Sequence, residues 1–156
     1  MNSVFYYDSP VGRIGVASDG ESVTHLFFTK QRSEGLFAEF RERETPLIRG
    51  AIKQLREYFD GKRRDFDLPL AASGTAFQCS VWDALCRIPY GETRSYAEIA
   101  REVGRPKAFR AIGMANNRNP IAIIIPCHRV VGADGSLTGF GGGMDAKAWL
   151  LGLERQ

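Results

Sequence analysis

The residues best suited to chemistry in this chain are a thiol and an imidazole side by side. Asn119-Pro120 opens an apolar run, Ile121-Ala122-Ile123-Ile124-Ile125, which closes on Pro126-Cys127-His128-Arg129-Val130-Val131. A cysteine delivered by a rigid buried segment, beside His and Arg in a stretch without carboxylates, has surroundings that could lower its pKa below the free value of about 8.5. Adjacent residues need not form a dyad, and no second histidine in this half could serve as a papain-like base. The alternative is an inert buried thiol at Cys127 and a hydrogen-bonded core imidazole at His128. The chain holds three cysteines, Cys79, Cys86 and Cys127, and two histidines, His25 and His128, with no C-x-x-C pair. An odd thiol count argues against a disulfide scaffold, and no set of ligands has structural-zinc spacing.

The rest of the composition bounds the setting. With 156 residues, 44% of them apolar and 11% aromatic, the chain can close one modest core or two small ones. Its longest apolar stretch, Ile121 to Pro126, is far short of the roughly 20 residues that cross a bilayer. Met1 to Asp8 has no basic segment followed by an apolar one, so no secretory signal is expected. These features predict a soluble protein in a reducing, cytoplasmic setting, nucleoid-associated if the source is bacterial, with no membrane partner, metal or cofactor.

The elements that position these residues fall into two halves, an α+β arrangement divided at 1–74 and 75–156. In the first, Ser3 to Asp8, Val11 to Ser18 and Ser22 to Thr29 have the composition of strands, with a hairpin signal at Asp19-Gly20. Lys30 to Glu44 is charged and ambiguous. Thr45-Pro46 is an N-cap and first helical residue for a helix with Ile48, Ala51, Ile52, Leu55, Tyr58 and Phe59 on one face and Gly61 as its stop. Phe66 to Leu70 is expected to add a strand, and Ala71-Ala72-Ser73-Gly74 marks the boundary.

The second half is helical in period, and strand signals nearly vanish. Phe77, Val81, Leu85 and Ile88 place a helix over Thr75 to Arg87. Ser95-Tyr96-Ala97-Glu98 is a capping box for a helix to Val103, stopped by Gly104, and Pro106 marks the start of another that runs through Asn117. That spacing is a helix-turn-helix, a DNA-binding arrangement when its second helix faces outward and an ordinary helical hairpin otherwise. Between Val103 and Ala133 there is no Asp or Glu, while Arg105, Lys107, Arg110, Arg118 and Arg129 all fall there. The first part carries 11 basic and 11 acidic residues and the second 10 and 7, so the net charge of +3 belongs to the second. Such a cluster suits phosphate contacts, a solvated basic face being the bland alternative. Ala108, Ala111, Gly113 and Ala115 on the second helix allow close approach to a groove or to another helix.

Taken together, Ile125-Pro126-Cys127-His128-Arg129-Val130-Val131, Gly139-Phe140-Gly141-Gly142-Gly143, Lys147 and Trp149-Leu150-Leu151 resemble the active-site block of the O6-alkylguanine-DNA alkyltransferases. Phe77-Gln78, Val81-Trp82, Ile88-Pro89-Tyr90-Gly91-Glu92-Thr93, Ser95-Tyr96, Pro106-Lys107-Ala108, Arg110-Ala111-Ile112-Gly113 and Asn119-Pro120 follow in that family's order. The resemblance is close over the second half and loose over the first, which matches the family's variable β-rich N-terminal domain.

The resemblance implies transfer of an alkyl group from O6-alkylguanine in duplex DNA to Cys127, once per molecule. It implies that Glu154 and His128, joined through a water, take the thiol proton, that Asn119 braces the turn between them, and that Tyr96 donates to the guanine ring nitrogen. Backbone carbonyls at Cys127 and Val130 would read the exocyclic amine, and the loop of Phe140, Gly141 and Gly142 would face the alkylated oxygen. Where relatives often carry Tyr-Ser, this chain has Phe140-Gly141 and lacks a hydroxyl donor, which predicts a looser loop and altered tolerance for bulky groups. Arg110 would fill the vacated base stack while the helix of Ala108, Ala111 and Gly113 lies in the minor groove, with Lys107, Arg118, Arg129 and Ser95 as further DNA contacts and a monomer as the acting species. Phe109 replaces a small residue and could turn into the core or wedge against the DNA, the core being the expected placement. A lesion-binding protein without the chemistry would carry Trp in place of Cys127, and a regulator with a zinc-thiolate sensor would need cysteines before Cys79.

Overall fold

A computed structural model describes residues 2–31, 37–140 and 142–156. The architecture is mixed α+β. Strands β1 (Ser3–Ser9), β2 (Gly12–Ser18) and β3 (Val23–Phe28) form an antiparallel meander, and β4 (Arg41–Glu42) adds in parallel to β1, giving the order β3-β2-β1-β4. Asp19 turns the β2–β3 corner by accepting from the backbone of Glu21 and Ser22 at 2.9 and 2.8 Å. One sheet face carries Ile14, Val16, Leu26 and Phe28 into the main core; the other seats Val4, Ala17 and Phe27 against Phe37. Burial on both faces explains why β3 shows no clean polar alternation. The part of the charged stretch at 32–36 lies outside the described residues.

Helix α1 (Pro46–Phe59) covers the first face. Thr45 caps it by accepting from Ile48 N at 3.2 Å, and its buried stripe is Ile48, Ala51, Ile52, Leu55, Tyr58 and Phe59. The expected strand over 66–70 is reduced to a single parallel bridge between Leu70 and Val23. Pro69 has no N–H to continue the ladder, so pairing stops at Val23 N to Pro69 O and Ala71 N to Val23 O.

In the second half α2 (Ala76–Cys86) begins in a reciprocal capping box, Thr75 with Gln78, and α3 (Tyr96–Glu102) in another, Ser95 with Glu98. Helix α4 (Phe109–Asn117) starts three residues later than Pro106 suggests. Pro106 sits instead in a turn closed by Ala108 N to Arg105 O at 3.0 Å, and Ala108 caps α4 without a side-chain acceptor. Trp82 Nε1 on α2 donates to Ala115 O on α4 at 2.9 Å, which fixes one helix against the other. Two short strands, β5 (Arg94–Ser95) and β6 (Val130–Val131), pair in parallel and bring the start of α3 beside the residues after Cys127. Helix α5 (Met144–Glu154) follows near the end of the chain.

An apolar cluster runs through both halves, from Ile14 and Leu55 to Ile99 and Leu153. The apolar run itself docks on the edge of the first sheet: Leu26 N donates to Pro120 O at 2.9 Å and Ala122 N to Leu26 O at 3.0 Å. Among the described residues, no helix is long and apolar enough to cross a membrane.

Candidate active site

Cys127 opens a short 3-10 turn, Cys127–Arg129, at the end of that docked run. Two features hold the docked run, residues 121–125, that delivers it. Asn119 spans it, donating Nδ2–H to Ile125 O at 2.7 Å and accepting Ile121 N–H on Oδ1 at 3.0 Å. Ile123 lies inside it with φ of 70°, the left-handed region that β-branched residues avoid, at a cost on the order of 1–2 kcal/mol. Asn119 and full burial of Ile123 hold the conformation against that cost.

The residue after the thiol meets the last helix. His128 is wholly buried, and its Nε2 lies 2.7 Å from Oε2 of Glu154. That distance leaves no space for the water expected between them. Burial holds His128 below its ordinary pKa, with Glu154 opposing, so the imidazole is neutral with Nε2–H donating. Nδ1 then presents a lone pair, and among the described residues no protein group engages it.

Glu154 is the hub of this cluster. Oε2 also accepts from Tyr58 Oη at 2.5 Å and Arg129 Nη2 at 3.0 Å, while Oε1 accepts Arg129 Nε at 2.8 Å. Burial alone would raise the Glu154 pKa; the donors His128, Arg129 and Tyr58 outweigh it and hold the group at about 2. Glu154 is therefore a fixed carboxylate that orients His128, and a poor resting place for a proton. Gly91 comes within 3.5 Å through its N–H, and its φ of 83° together with a Cβ position 3.0 Å from Glu154 O leaves little room for a side chain.

Arg129 is a correction to the expected DNA contacts. It is 7% exposed, bidentate on Glu154, with Nη1 on Ile88 O at 2.7 Å. A carboxylate distant in sequence but adjacent in space neutralises it, so its charge is unavailable to phosphate. The same pairing leaves Cys127 without the cation its sequence neighbour promised. Burial pushes the Cys127 thiol above its ordinary value, opposed by the Asn119 hydrogen bond and by the charge of Lys147, so the expected lowering does not occur in the free protein.

Lys147 is recognisable in sequence only as part of the resemblance. It is fully buried on α5, and its Nζ donates to Val130 O at 2.6 Å and Thr138 O at 2.8 Å. Val130 is itself buried; β5–β6 pairing sets it opposite Arg94 and sets Val131 opposite Ser95, next to Tyr96, whose hydroxyl lies 2.8 Å from Thr138 Oγ1. Phe140 packs edge-on between Phe28 and His128, at 5.5 and 6.5 Å, and a Cβ on Gly142 would strike the Phe28 ring at 2.8 Å. Gly141 lies outside the described residues. A cavity of about 90 Å³ beside Cys127 is lined by Phe140, Asn116 and Asn119 and, from the first sheet, Leu26 and Phe28.

The second face of the site is α4. Arg110, Ala111 and Arg118 are exposed on it, with Lys107 exposed before it, and Ala108 and Gly113 half-buried. Gly113 faces the Tyr96 ring at ordinary contact distance, 3.9 Å from its Cβ position, so α4 approaches the mouth of the site. Ser95 is occupied as the cap of α3, accepting from Glu98 N at 3.1 Å. Phe109 is also a correction: at N1 of α4 it is 50% exposed beside Arg110, one turn ahead of the point where the buried stripe of Ile112, Ala115 and Asn116 begins.

Comparison with known proteins gives this geometry its family. A sequence model described as 6-O-methylguanine DNA methyltransferase, DNA binding domain, matches residues 76–156, and one for the ribonuclease-like domain of the same proteins matches residues 4–72. The chain belongs to the 6-O-methylguanine DNA methyltransferases. A methylated-DNA--protein-cysteine methyltransferase of Methanosarcina barkeri is 54% identical over 153 residues, 96% of each chain. One from Mycobacterium bovis is 50% identical, covering 95% of this chain and 89% of that protein. Among solved structures, the O6-methylguanine methyltransferase of Mycobacterium tuberculosis superposes with a TM-score of 0.93 at 47% identity, covering 99% of this chain and 93% of that one. The same organism's OGT in complex with DNA superposes at 0.90 with 48% identity, covering 98% and 92%.

Proposed function

We infer that this protein repairs DNA by transferring the alkyl group of O6-alkylguanine to Cys127, each molecule acting once. The observation that carries the reading is the junction of Cys127 with the His128–Glu154 pair: a buried thiol on a braced turn, followed by a neutral imidazole whose Nδ1 lone pair is unengaged among the described residues. Burial keeps the thiol protonated at rest. As substrate enters, its proton passes to Nδ1 of His128, and the imidazolium is stabilised by the fixed Glu154 carboxylate. The sulfur–carbon bond then forms as the carbon–O6 bond breaks, guanine leaving with the electron pair. Tyr96, released from Thr138, donates to the guanine ring nitrogen as that negative charge grows. The carbonyls of Cys127 and Val130 take the exocyclic amine, Lys147 holding the latter in place. The thioether product offers no easy leaving group, so the protein does not turn over.

DNA is read as the partner through α4. The target nucleotide must leave the stack, at a cost of a few kcal/mol, and Arg110 on the exposed first turn is the group that replaces it. Ala108, Ala111 and Gly113 let the helix lie in the minor groove, and Lys107 and Arg118 meet phosphates. Residues 1–74 serve as a buttress domain and 75–156 as the reacting one, the protein acting as a monomer in a reducing cytoplasm. A duplex carrying O6-methylguanine tests the reading: the Cys127→Ala variant retains binding and removes no methyl, and demethylation surviving that substitution overturns it.

A further inference from the structure

The geometry points to Tyr58, on α1 of the N-terminal half, as a positioning residue for alkyl transfer, its hydroxyl holding Oε2 of Glu154 against His128. Three observations converge. Tyr58 is wholly buried, although a helix stripe that serves only packing needs no hydroxyl there. Its Oη donates to the same oxygen that receives His128 Nε2–H, at 2.5 Å against 2.7 Å. Its ring is fixed on several sides, by Phe59 at 5.5 Å, Phe66 at 5.4 Å and Tyr90 at 6.2 Å, so the hydroxyl has little freedom to leave. A buried hydroxyl held in this way forms a short, charge-assisted bond to a carboxylate. It is also a direct link by which a residue of the first half reaches the His128–Glu154 pair.

The consequence has a definite sign. Glu154 is faced by Tyr58 from α1, by His128 and Arg129 from the 3-10 turn, and by the Gly91 N–H and the Tyr90 ring from the loop before β5, with Arg64 lying over Tyr90 at 5.0 Å. Tyr58 and Arg129 both draw charge from the carboxylate and temper its pull on the imidazole. Without the Tyr58 hydroxyl, Oε2 binds the His128 proton more strongly and the imidazolium form is favoured. His128 then loses its free lone pair at a higher pH, and the acid side of the transfer rate moves up.

This inference rests on the alkyl-transfer reading, and the experiment separates the two. The rate of benzyl transfer from free O6-benzylguanine to the protein, followed by intact mass across pH 4.5 to 9, is measured for the unsubstituted protein and for Tyr58→Phe. No benzylation of the unsubstituted protein, together with no methyl gained from a duplex carrying O6-methylguanine, defeats the alkyl-transfer reading itself. With transfer intact, Tyr58→Phe is expected to shift the acid limb upward by about half a pH unit or more; superimposable profiles overturn the role of Tyr58. Phe66→Leu, which loosens the ring's packing and keeps the hydroxyl, is expected to lower the melting temperature and leave the profile in place, and a profile that moves equally there reduces Tyr58 to packing. In the unsubstituted protein the hydroxyl proton is expected as a slowly exchanging downfield NMR resonance with a nuclear Overhauser effect to the His128 ring. Its absence overturns the proposal even if Tyr58→Phe does not fold.

Discussion

Arg110 and Arg129 stand in the same acid-free stretch, yet one reaches solvent from the first turn of α4 and the other is 7% exposed with its guanidinium on Glu154. Their surroundings differ in what a charge costs. At Arg110 water solvates the cation, so the side chain stays available to a partner. At Arg129 burial would be prohibitive without the bidentate carboxylate, and the pair in turn sets the orientation of His128. Sequence proximity thus groups two arginines that the fold separates into an exposed surface and an internal clamp. An acid-free window in sequence says nothing about carboxylates arriving from elsewhere in the chain.

Breaking the clamp is expected to give the largest effect. Arg129→Leu leaves the Glu154 carboxylate buried without its cation, a loss of about 3–5 kcal/mol in urea unfolding. A loss under about 1 kcal/mol would place Arg129 at the surface, with Arg110.

Acid attacks the same region selectively. Both His128 and Glu154 are held below their ordinary values of 6.5 and 4.5, so in each case the unfolded chain binds protons more readily than the folded one. Stability is full above about pH 6.5, falls as His128 resists protonation, and falls again from about pH 4.5 toward about 2 as Glu154 does. Melting temperatures recorded from pH 7.5 to 3 check this; a curve flat to pH 4 contradicts it.

At the exposed region the effects move from stability to DNA. Arg110→Ala is expected to slow repair of duplex about tenfold or more, the loss of a group that offsets base unstacking, and to leave reaction with free O6-benzylguanine unchanged. Equal losses on both substrates would refute its role in the stack. Smallest of all, Phe109→Ala and Arg118→Ala are expected to change stability by no more than about 0.5 kcal/mol. Arg118→Ala should reduce the salt slope of DNA binding by about one, and a large destabilisation by Phe109→Ala would return that ring to the core.

Local signals carry the helices, because caps and stops are set by residues in contact along the chain. Thr45-Pro46, the Ser95–Glu98 box and Gly61 are legible for that reason. Cys127 and His128 are legible through their placement at the end of one apolar run, and Asn119 through the family resemblance alone. The rest depends on long-range closure. Tyr58 reads in sequence as one more member of an apolar stripe, and only the arrival of α5 gives its hydroxyl a partner 96 positions away. Arg129 is misread in sequence for the same reason. Phe109 is misread because the start of α4 depends on the turn at Arg105 to Ala108, which the helix-favouring position of Pro106 obscures. The Leu70 bridge and the docking of Ile121 on Leu26 are likewise pairings between distant segments, invisible to period or propensity.

Intact mass reads out directly whether Cys127 is the acceptor. The protein is incubated with a duplex containing a single O6-methylguanine, weighed, and digested for peptide mapping. The expected result is a gain of one methyl group located on Cys127, with Cys79 and Cys86 unmodified and no gain in Cys127→Ala. An unchanged mass despite DNA binding, or a methyl group on either helical cysteine, would contradict it.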